Sequence, residues 1–252
     1  AKNRYTEDWI KWLKSAFGKK GRLVIGKEKS AEFKYSDINI FTDTKKTALY
    51  ELQALEALIK IPFVRGDKIF FADIDFTGVC LPICILLKRM YPYLKFYGYV
   101  HATSLNRGDY WEGLKEYKLP LEKVTFKLFD KLFVATEYHR KKLLRLGETV
   151  VVGAPFYGFS QRKVAWDKRK WDVVIVSRPQ KSVLDKLGEK EYLIEKGIKV
   201  FIVRNKTRKE YREILANSKI CLSLANEETF GYSIIEAMYL GVFPIVPDGF
   251  AY

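Results

Sequence analysis

Apolar residues recur along this chain in two rhythms. Short runs rich in Val, Ile, Phe and Tyr fall at 22–26, 37–41, 68–73, 95–100, 131–136 and 149–153. Similar runs return at 172–177, 199–203, 219–224 and 242–246. Runs of that length and composition predict strands. Between them, at 47–60, 137–147, 182–197 and 207–218, apolar residues stand three and four apart. That spacing predicts amphipathic helices. In the last of these Thr207 is the expected N-cap, and Tyr211, Ile214 and Leu215 form the apolar stripe. The run 76-FTGVCLPICILL-87 is too short for a membrane span and contains a proline, so it reads as a buried helix. A first helix around Trp9, Trp12 and Leu13 is expected to pack on the N-terminal domain.

Strands alternating with helices predict an α/β protein with parallel sheets. The alternation breaks at 154-APFYGFSQRKVAWDKRKW-171, which mixes proline, glycine, aromatic and basic residues without a period. It reads as a linker between two Rossmann-like domains, 1–153 and 172–252.

Composition narrows the picture. The chain has 252 residues, 48% of them hydrophobic, which suits a globular protein with a substantial core. Its net charge is +15. Residues 1–150 hold 28 Lys/Arg against 18 Asp/Glu, and the remainder 17 against 12, so the surplus is concentrated in the N-terminal part. Such a surface favours an anionic partner: nucleic acid, a membrane surface or a phosphorylated substrate. A lysine-rich solvated surface of a heat-tolerant protein explains the same charge. The opening residues lack the apolar core of a signal peptide. Cys80, Cys84 and Cys221 lie in apolar runs and read as reduced thiols of a cytosolic protein. With two histidines in the chain, Cys80 and Cys84 have too few companions for a metal site. His139, among Arg140, Lys141 and Lys142, reads as a surface residue.

The chemistry is concentrated in 220-ICLSLANEETFGYSIIEAM-238. A strand is expected to end near Ala225, a loop to carry Glu227 and Glu228, and a helix to start near Gly231. Backbone N–H groups of Gly231, Tyr232 and Ser233 then face the loop, where the helix dipole favours a diphosphate. Glu228 beside that turn suits sugar hydroxyls, and Glu236 in the helix suits a ribose diol. Taken alone, Glu228 is better read as a capping carboxylate, whereas the apolar setting of Ile234, Ile235, Ala237 and Met238 argues against reading Glu236 as a solvated helix-face ion pair.

The pattern Glu228-Thr-Phe-Gly-Tyr-Ser-Ile-Ile-Glu236, followed by Gly241 and 244-PIVPD-248, resembles the E-x7-E signature of retaining glycosyltransferases with the GT-B fold. Residues 130–147, 149–158 and 172–182 resemble that family's last N-domain strand and helix, interdomain segment and first C-domain strand with its basic loop. The resemblance is good over the second half of the chain and poor over the first. It implies two Rossmann-like domains facing a cleft, the C-terminal one shortened, and transfer of a hexose from a UDP- or GDP-sugar without metal or other cofactor. It gives Glu228 the sugar hydroxyls and the developing positive charge, and Glu236 the ribose. Thr229, Phe230, Gly231, Tyr232 and Ser233 line the donor turn. Arg178 and Lys181 neutralise the departing diphosphate, and His101 approaches the donor sugar.

Asp73 and Asp75 form a D-x-D at a strand end, a pattern that holds metal in another glycosyltransferase fold. Here they read as a turn and cap or as acceptor-side groups, as does Asp109. The basic N-terminal half interleaves aromatics with lysines in 88-KRMYPYLKFYGY-99, which suits a nucleic-acid acceptor. The rival acceptor is a lipid-linked or surface glycan, reached by peripheral contact with anionic lipid. A nonenzymatic nucleic-acid-binding protein explains the charge but not Glu228, Gly231 and Glu236 together. The oligomeric state is not written in the sequence.

Overall fold

The computed structural model describes residues 6–25, 44–74, 81–107, 112–176, 188–203 and 206–252. These form two α/β units. The described residues up to Pro155 belong to the first and those from Phe156 to the second.

In the first unit, α1 (Thr6–Phe17) and α2 (Thr44–Ile59) precede β1 (Lys68–Phe71). Then α3 (Leu81–Met90), β2 (Lys95–Tyr99), α4 (Lys115–Leu128), β3 (Lys131–Val134), α5 (Glu137–Leu143) and β4 (Val150–Val151) alternate. All strand pairs are parallel and the order is β1-β2-β3-β4. Because the chain steps across the sheet in one direction, right-handed crossovers stack the helices on one face. The core shows this: Leu55 and Leu58 of α2, Cys84 and Leu87 of α3, Phe126 of α4 and Leu143 of α5 share one cluster. Phe96, Val100, Leu132 and Val134 meet them from the sheet. Alternation along the strands turns Phe70, Tyr97, Tyr99 and Phe133 to the opposite face. There Trp9 of α1 packs on Tyr99, with ring centroids 4.6 Å apart, and on Phe70 at 6.1 Å.

Asp130 fastens the amino ends of β2 and β3. Its carboxylate accepts hydrogen bonds from Lys88 Nζ at 2.7 Å, Lys95 Nζ at 2.8 Å and Phe96 N at 2.8 Å. Partial burial works to raise its pKa, but these three donors outweigh it and hold the carboxyl down at about 2.

The second unit runs β5 (Trp171–Ile175), α6 (Gly188–Glu195), β6 (Val200–Ile202), α7 (Arg208–Ala216), β7 (Ser218–Leu222), α8 (Tyr232–Tyr239) and β8 (Phe243–Ile245). Its parallel sheet has the order β6-β5-β7-β8. From β5 the chain goes first to one side and then returns to the other. The helices therefore cover both faces. Tyr211 and Leu215 of α7 with Ile234 and Ala237 of α8 pack on one, and Ile198 with Val200 and Ile202 on the other. Thr207 caps α7 as expected, in a full capping box with Glu210.

Three readings differ. Residues 22–25 are irregular and lie outside any strand, with Leu23 and Ile25 exposed. Helix α4 runs through Pro120, whose missing N–H and turn-forming habit hide the helix in the sequence. His139 is wholly buried, not superficial. It shares a helix face with Leu143, while Arg140 and Lys141 point elsewhere. The expected strand 37–41 lies outside the described residues, as do Cys80 and residues 182–187 of the expected helix. Among the described residues Cys84 and Cys221 are buried thiols outside any disulfide, and no helix is long and apolar enough to cross a membrane.

Candidate functional site

A reversal of strand order opens a crevice at the carboxyl ends of the two strands beside it, where doubly wound sheets place their ligands. In the second unit those strands are β5 and β7. From β7 the chain passes through buried Ser223 and Leu224 into the half-buried loop 225–230, then enters α8. Gly231 is the N-cap, at φ 80° and ψ 43°. That left-handed conformation suits glycine, and so does the space. A Cβ there would stand 3.0 Å from Cε1 of Tyr252 and 3.7 Å from Cγ of Glu228. Tyr252 in turn shares a 2.8 Å hydrogen bond with Ser223 Oγ. Strand end, helix start and Tyr252 thus form one packed corner. Burial, helped by the nearby Glu228 charge, pushes the Tyr252 hydroxyl up to about 12.

Gly231, as N-cap, brings no side chain to the start of α8. The first turn of a helix leaves N–H groups without intrahelical partners, and the dipole adds positive potential. The turn therefore has the character of an anion seat. Glu228 stands at its edge. Its Oε1 accepts from Thr229 N at 3.0 Å and from Phe230 N at 3.3 Å. This fixes the carboxylate against the backbone and leaves Oε2 without a hydrogen bond among the described residues. Phe230 and Tyr232 lock the turn with an edge-on ring contact, centroids 4.7 Å apart.

Glu236 lies one turn further on. It is 4% exposed, and its Oε2 has no hydrogen-bond partner among the described residues. Its Oε1 stands 3.7 Å from Nη2 of Arg212 on α7. It also faces β7, where burial pushes the Cys221 thiol up to about 12 and the Glu236 charge adds to the shift. A buried carboxylate with an unused oxygen is costly and calls for donors.

The segment from Phe156 to Arg169 packs against the second unit. Phe159 lies under the Arg212 guanidinium, 3.8 Å from ring centroid to Cζ, and against Tyr239 at 5.0 Å. Gly158 gives Tyr239 its room, since a Cβ there would come within 2.4 Å of the hydroxyl. Arg169 donates to the carbonyls of Val164, Ser218, Leu240 and Gly241 at 2.8–3.2 Å. It thereby satisfies the carboxyl end of α8 and ties it to β7.

In the first unit the carboxyl edge of the sheet gathers a second set. Asp73 follows β1 and is half-buried. His101 follows β2, its Nε2 lying 3.2 Å from the carbonyl of Ala72. Its ring packs on Tyr99 at 4.7 Å and on Trp9 at 5.6 Å. His139 sits at the start of α5 with neither ring nitrogen hydrogen-bonded among the described residues. Burial, then the neighbouring His101 and Lys142, lower its pKa to about 3, so it is neutral. The structure thus brings Asp73 and His101 to one edge, and Glu228, Thr229, Phe230, Gly231, Tyr232, Ser233 and Glu236 to one corner. Asp75, Asp109, Arg178 and Lys181 lie outside the described residues. Among the described residues no three His, Cys, Asp or Glu side chains cluster as a metal site.

Sequence reasoning did not single out Arg212, Phe159 or Tyr252. Arg212 follows Tyr211 in the predicted helix, a place where a charge is read as solvated. Phe159 and Tyr252 lie in stretches without a period.

No family model matches the chain, and no curated protein matches its sequence. Among solved structures, sucrose-phosphate synthase from Thermosynechococcus elongatus is similar with a TM-score of 0.50 at 14% identity. The match covers 85% of this chain and 62% of that one, so this chain spans less than two thirds of its length. A chain of the GtfA/B complex matches with a TM-score of 0.43 at 16% identity, over 77% of this chain and 44% of its own. The first likeness is one of fold. The paired α/β units with parallel sheets are the architecture expected of the GT-B class.

Proposed function

We propose that the protein is a retaining glycosyltransferase whose second unit binds a nucleotide sugar at the β7–α8 corner. The observation that carries this reading is the Glu236 carboxylate, buried with one oxygen that has no hydrogen-bond partner among the described residues, in a helix that opens on a glycine. A ribose diol offers the donors that Glu236 lacks. A diphosphate suits the helix start. The free oxygen of Glu228 suits hydroxyls of the donor sugar, and its charge favours the cationic character that grows at the anomeric carbon. The fold likeness supports the same reading.

In the reaction, the bond from the anomeric carbon to the diphosphate oxygen breaks and its electron pair leaves with the phosphate. The acceptor oxygen forms its bond on the same face and gives its proton to the departing phosphate. Arg178 and Lys181 follow β5, the strand beside β7, and are assigned the neutralisation of the leaving group. The resemblance assigns His101 to the donor sugar. The transferred group is read as a hexose and the donor as a UDP- or GDP-sugar, with no metal required. The first reading of the acceptor is a nucleic acid. A lipid-linked glycan is the second, favoured by the exposed apolar and basic helices of the first unit.

The test is a thermal-shift panel of UDP-, GDP- and ADP-sugars, with and without EDTA, together with assay of nucleotide release. Stabilisation by one donor that survives EDTA and disappears in Glu236→Ala is the expected result. Failure of every donor to shift the protein overturns the reading. Stabilisation only with added metal overturns its metal-free form and directs attention to Asp73 and Asp75.

A further inference from the structure

The helices that cover one face of the first sheet turn an unusual surface outward. On α3, Cys84 and Leu87 face the core, and Ile85, Leu86 and Met90 on the other side are about half exposed. On α4, Glu122 and Phe126 face inward, and Leu121 and Val124 stand out at 54% and 47% exposure. The two helices pack side by side, and both turn aliphatic groups outward. Exposed apolar fields of this kind mark interaction sites.

Basic residues are set among them. Arg89 on α3 and Lys123 and Lys127 on α4 are exposed beside the aliphatic stripe. Tyr117, at 72% exposure, adds an amphipathic ring of the sort that settles at a lipid–water boundary. Beside these helices, at the carboxyl end of the sheet, lies a recess of about 280 Å³ lined by Leu81, Leu121 and Phe126 and by the polar Thr103, Lys118 and Glu122. Leu121 belongs to both the recess and the outer field.

We propose that the outer face of α3 and α4 docks the first unit on an anionic lipid surface. The mixture of groups selects this occupant. Nucleic acid calls for rings on which bases stack, whereas most of the apolar groups here are aliphatic. A second copy in a two-fold pair would bring Arg89, Lys123 and Lys127 towards the same charges on its partner. A lipid surface satisfies both halves at once: acyl chains take the aliphatic groups and headgroup phosphates take the lysines.

The proposal rests on the first unit alone, and its test contains no donor, so its outcome is separate from that of donor binding. The whole chain is floated with vesicles of phosphatidylcholine, or of phosphatidylcholine mixed with phosphatidylglycerol, at low and at physiological salt. The protein is expected to float with the anionic vesicles and to remain behind with the neutral ones. Combining Leu86→Ser, Leu121→Ser and Val124→Ser is expected to weaken binding by roughly tenfold or more. Lys123→Gln with Lys127→Gln is expected to weaken it by roughly thirtyfold, following the usual contribution of a surface cation near anionic lipid. These side chains are exposed, so circular dichroism and urea unfolding should match the parent. No flotation with anionic vesicles overturns the proposal, as does flotation indifferent to both variants. Loss of a dimer on a sizing column in the serine variant makes the face a self-association surface instead. Loss of a gel shift with DNA or RNA, without vesicle binding by the parent, makes it a nucleic-acid surface.

Discussion

Nη2 of Arg212 stands 3.7 Å from Oε1 of Glu236, on two consecutive helices of the second unit. That separation compensates the buried charge but exceeds hydrogen-bond range, so the carboxylate keeps its lone pairs for other donors. Two substitutions separate the roles. Glu236→Gln should weaken nucleotide-sugar binding about tenfold, the loss of one charge-assisted hydrogen bond, with little change in stability. Arg212→Ala should destabilise by about 3 kcal/mol, because it strands a buried carboxylate and uncovers Phe159. Calorimetric titration with donor reads the first effect, and urea unfolding reads the second.

Gly231 combines a φ of 80° with a Tyr252 ring that a Cβ would approach to 3.0 Å. Gly231→Ala should therefore cost about 1–2 kcal/mol of stability. It should also reduce donor binding more than that figure implies, since the amides of the turn would shift. Tyr252→Phe removes the bond to Ser223 and should cost about 1 kcal/mol. Comparison of both variants by unfolding and titration shows whether the corner's shape or merely its stability governs binding.

Arg169 reaches four carbonyls from one planar guanidinium. A lysine has a single ammonium and cannot reproduce that fork. Arg169→Lys should destabilise by about 2 kcal/mol and Arg169→Ala by about 3 kcal/mol. Small equal effects of under half a kilocalorie would contradict the clamp.

His139 sets the acid response. Its folded pKa is lowered to about 3 from an ordinary value of 6.5. The unfolded chain therefore takes up a proton that the folded one refuses. Stability is complete above pH 6.5 and should fall as pH drops from there towards 3, by up to about 1.4 kcal/mol per unit. His139→Leu should flatten this slope. Asp130 acts lower down. Its folded carboxyl is held at about 2 against 3.8, so its contribution is present above 3.8 and lost as pH falls towards 2. With solvent screening that contribution is about 1 kcal/mol. Urea unfolding of the parent, His139→Leu and Asp130→Asn across about pH 2–8 resolves the two windows.

The strands from Lys68 onward were legible because each is a short apolar run bounded by turn residues. Thr207 announced α7 as its N-cap, since capping is a local device, and the structure adds Glu210 to complete the box. What the sequence hid was set by distant partners. His139 is surrounded by cations along the chain, yet the helix turns those outward and its ring inward. Arg169 lies in a stretch with no period because its work is to bind carbonyls that other elements leave over. The corner at Glu228, Gly231 and Glu236 was readable as a turn between strand and helix. That Tyr252 closes over it was not, because no local pattern points a tyrosine at a glycine some twenty positions earlier.

The packing of Trp9 on Tyr99 carries a consequence for how the protein is made. The helix bearing Trp9 leaves the ribosome before β1 and β2, which supply the Phe70 and Tyr99 rings that it packs on. Until Tyr99 has emerged the tryptophan cannot take up its packed position. The first described helix thus waits for two strands that follow it in the chain. The nascent N-terminal unit carries an exposed aromatic helix through most of its own translation, a long-range closure that slows folding and invites chaperones.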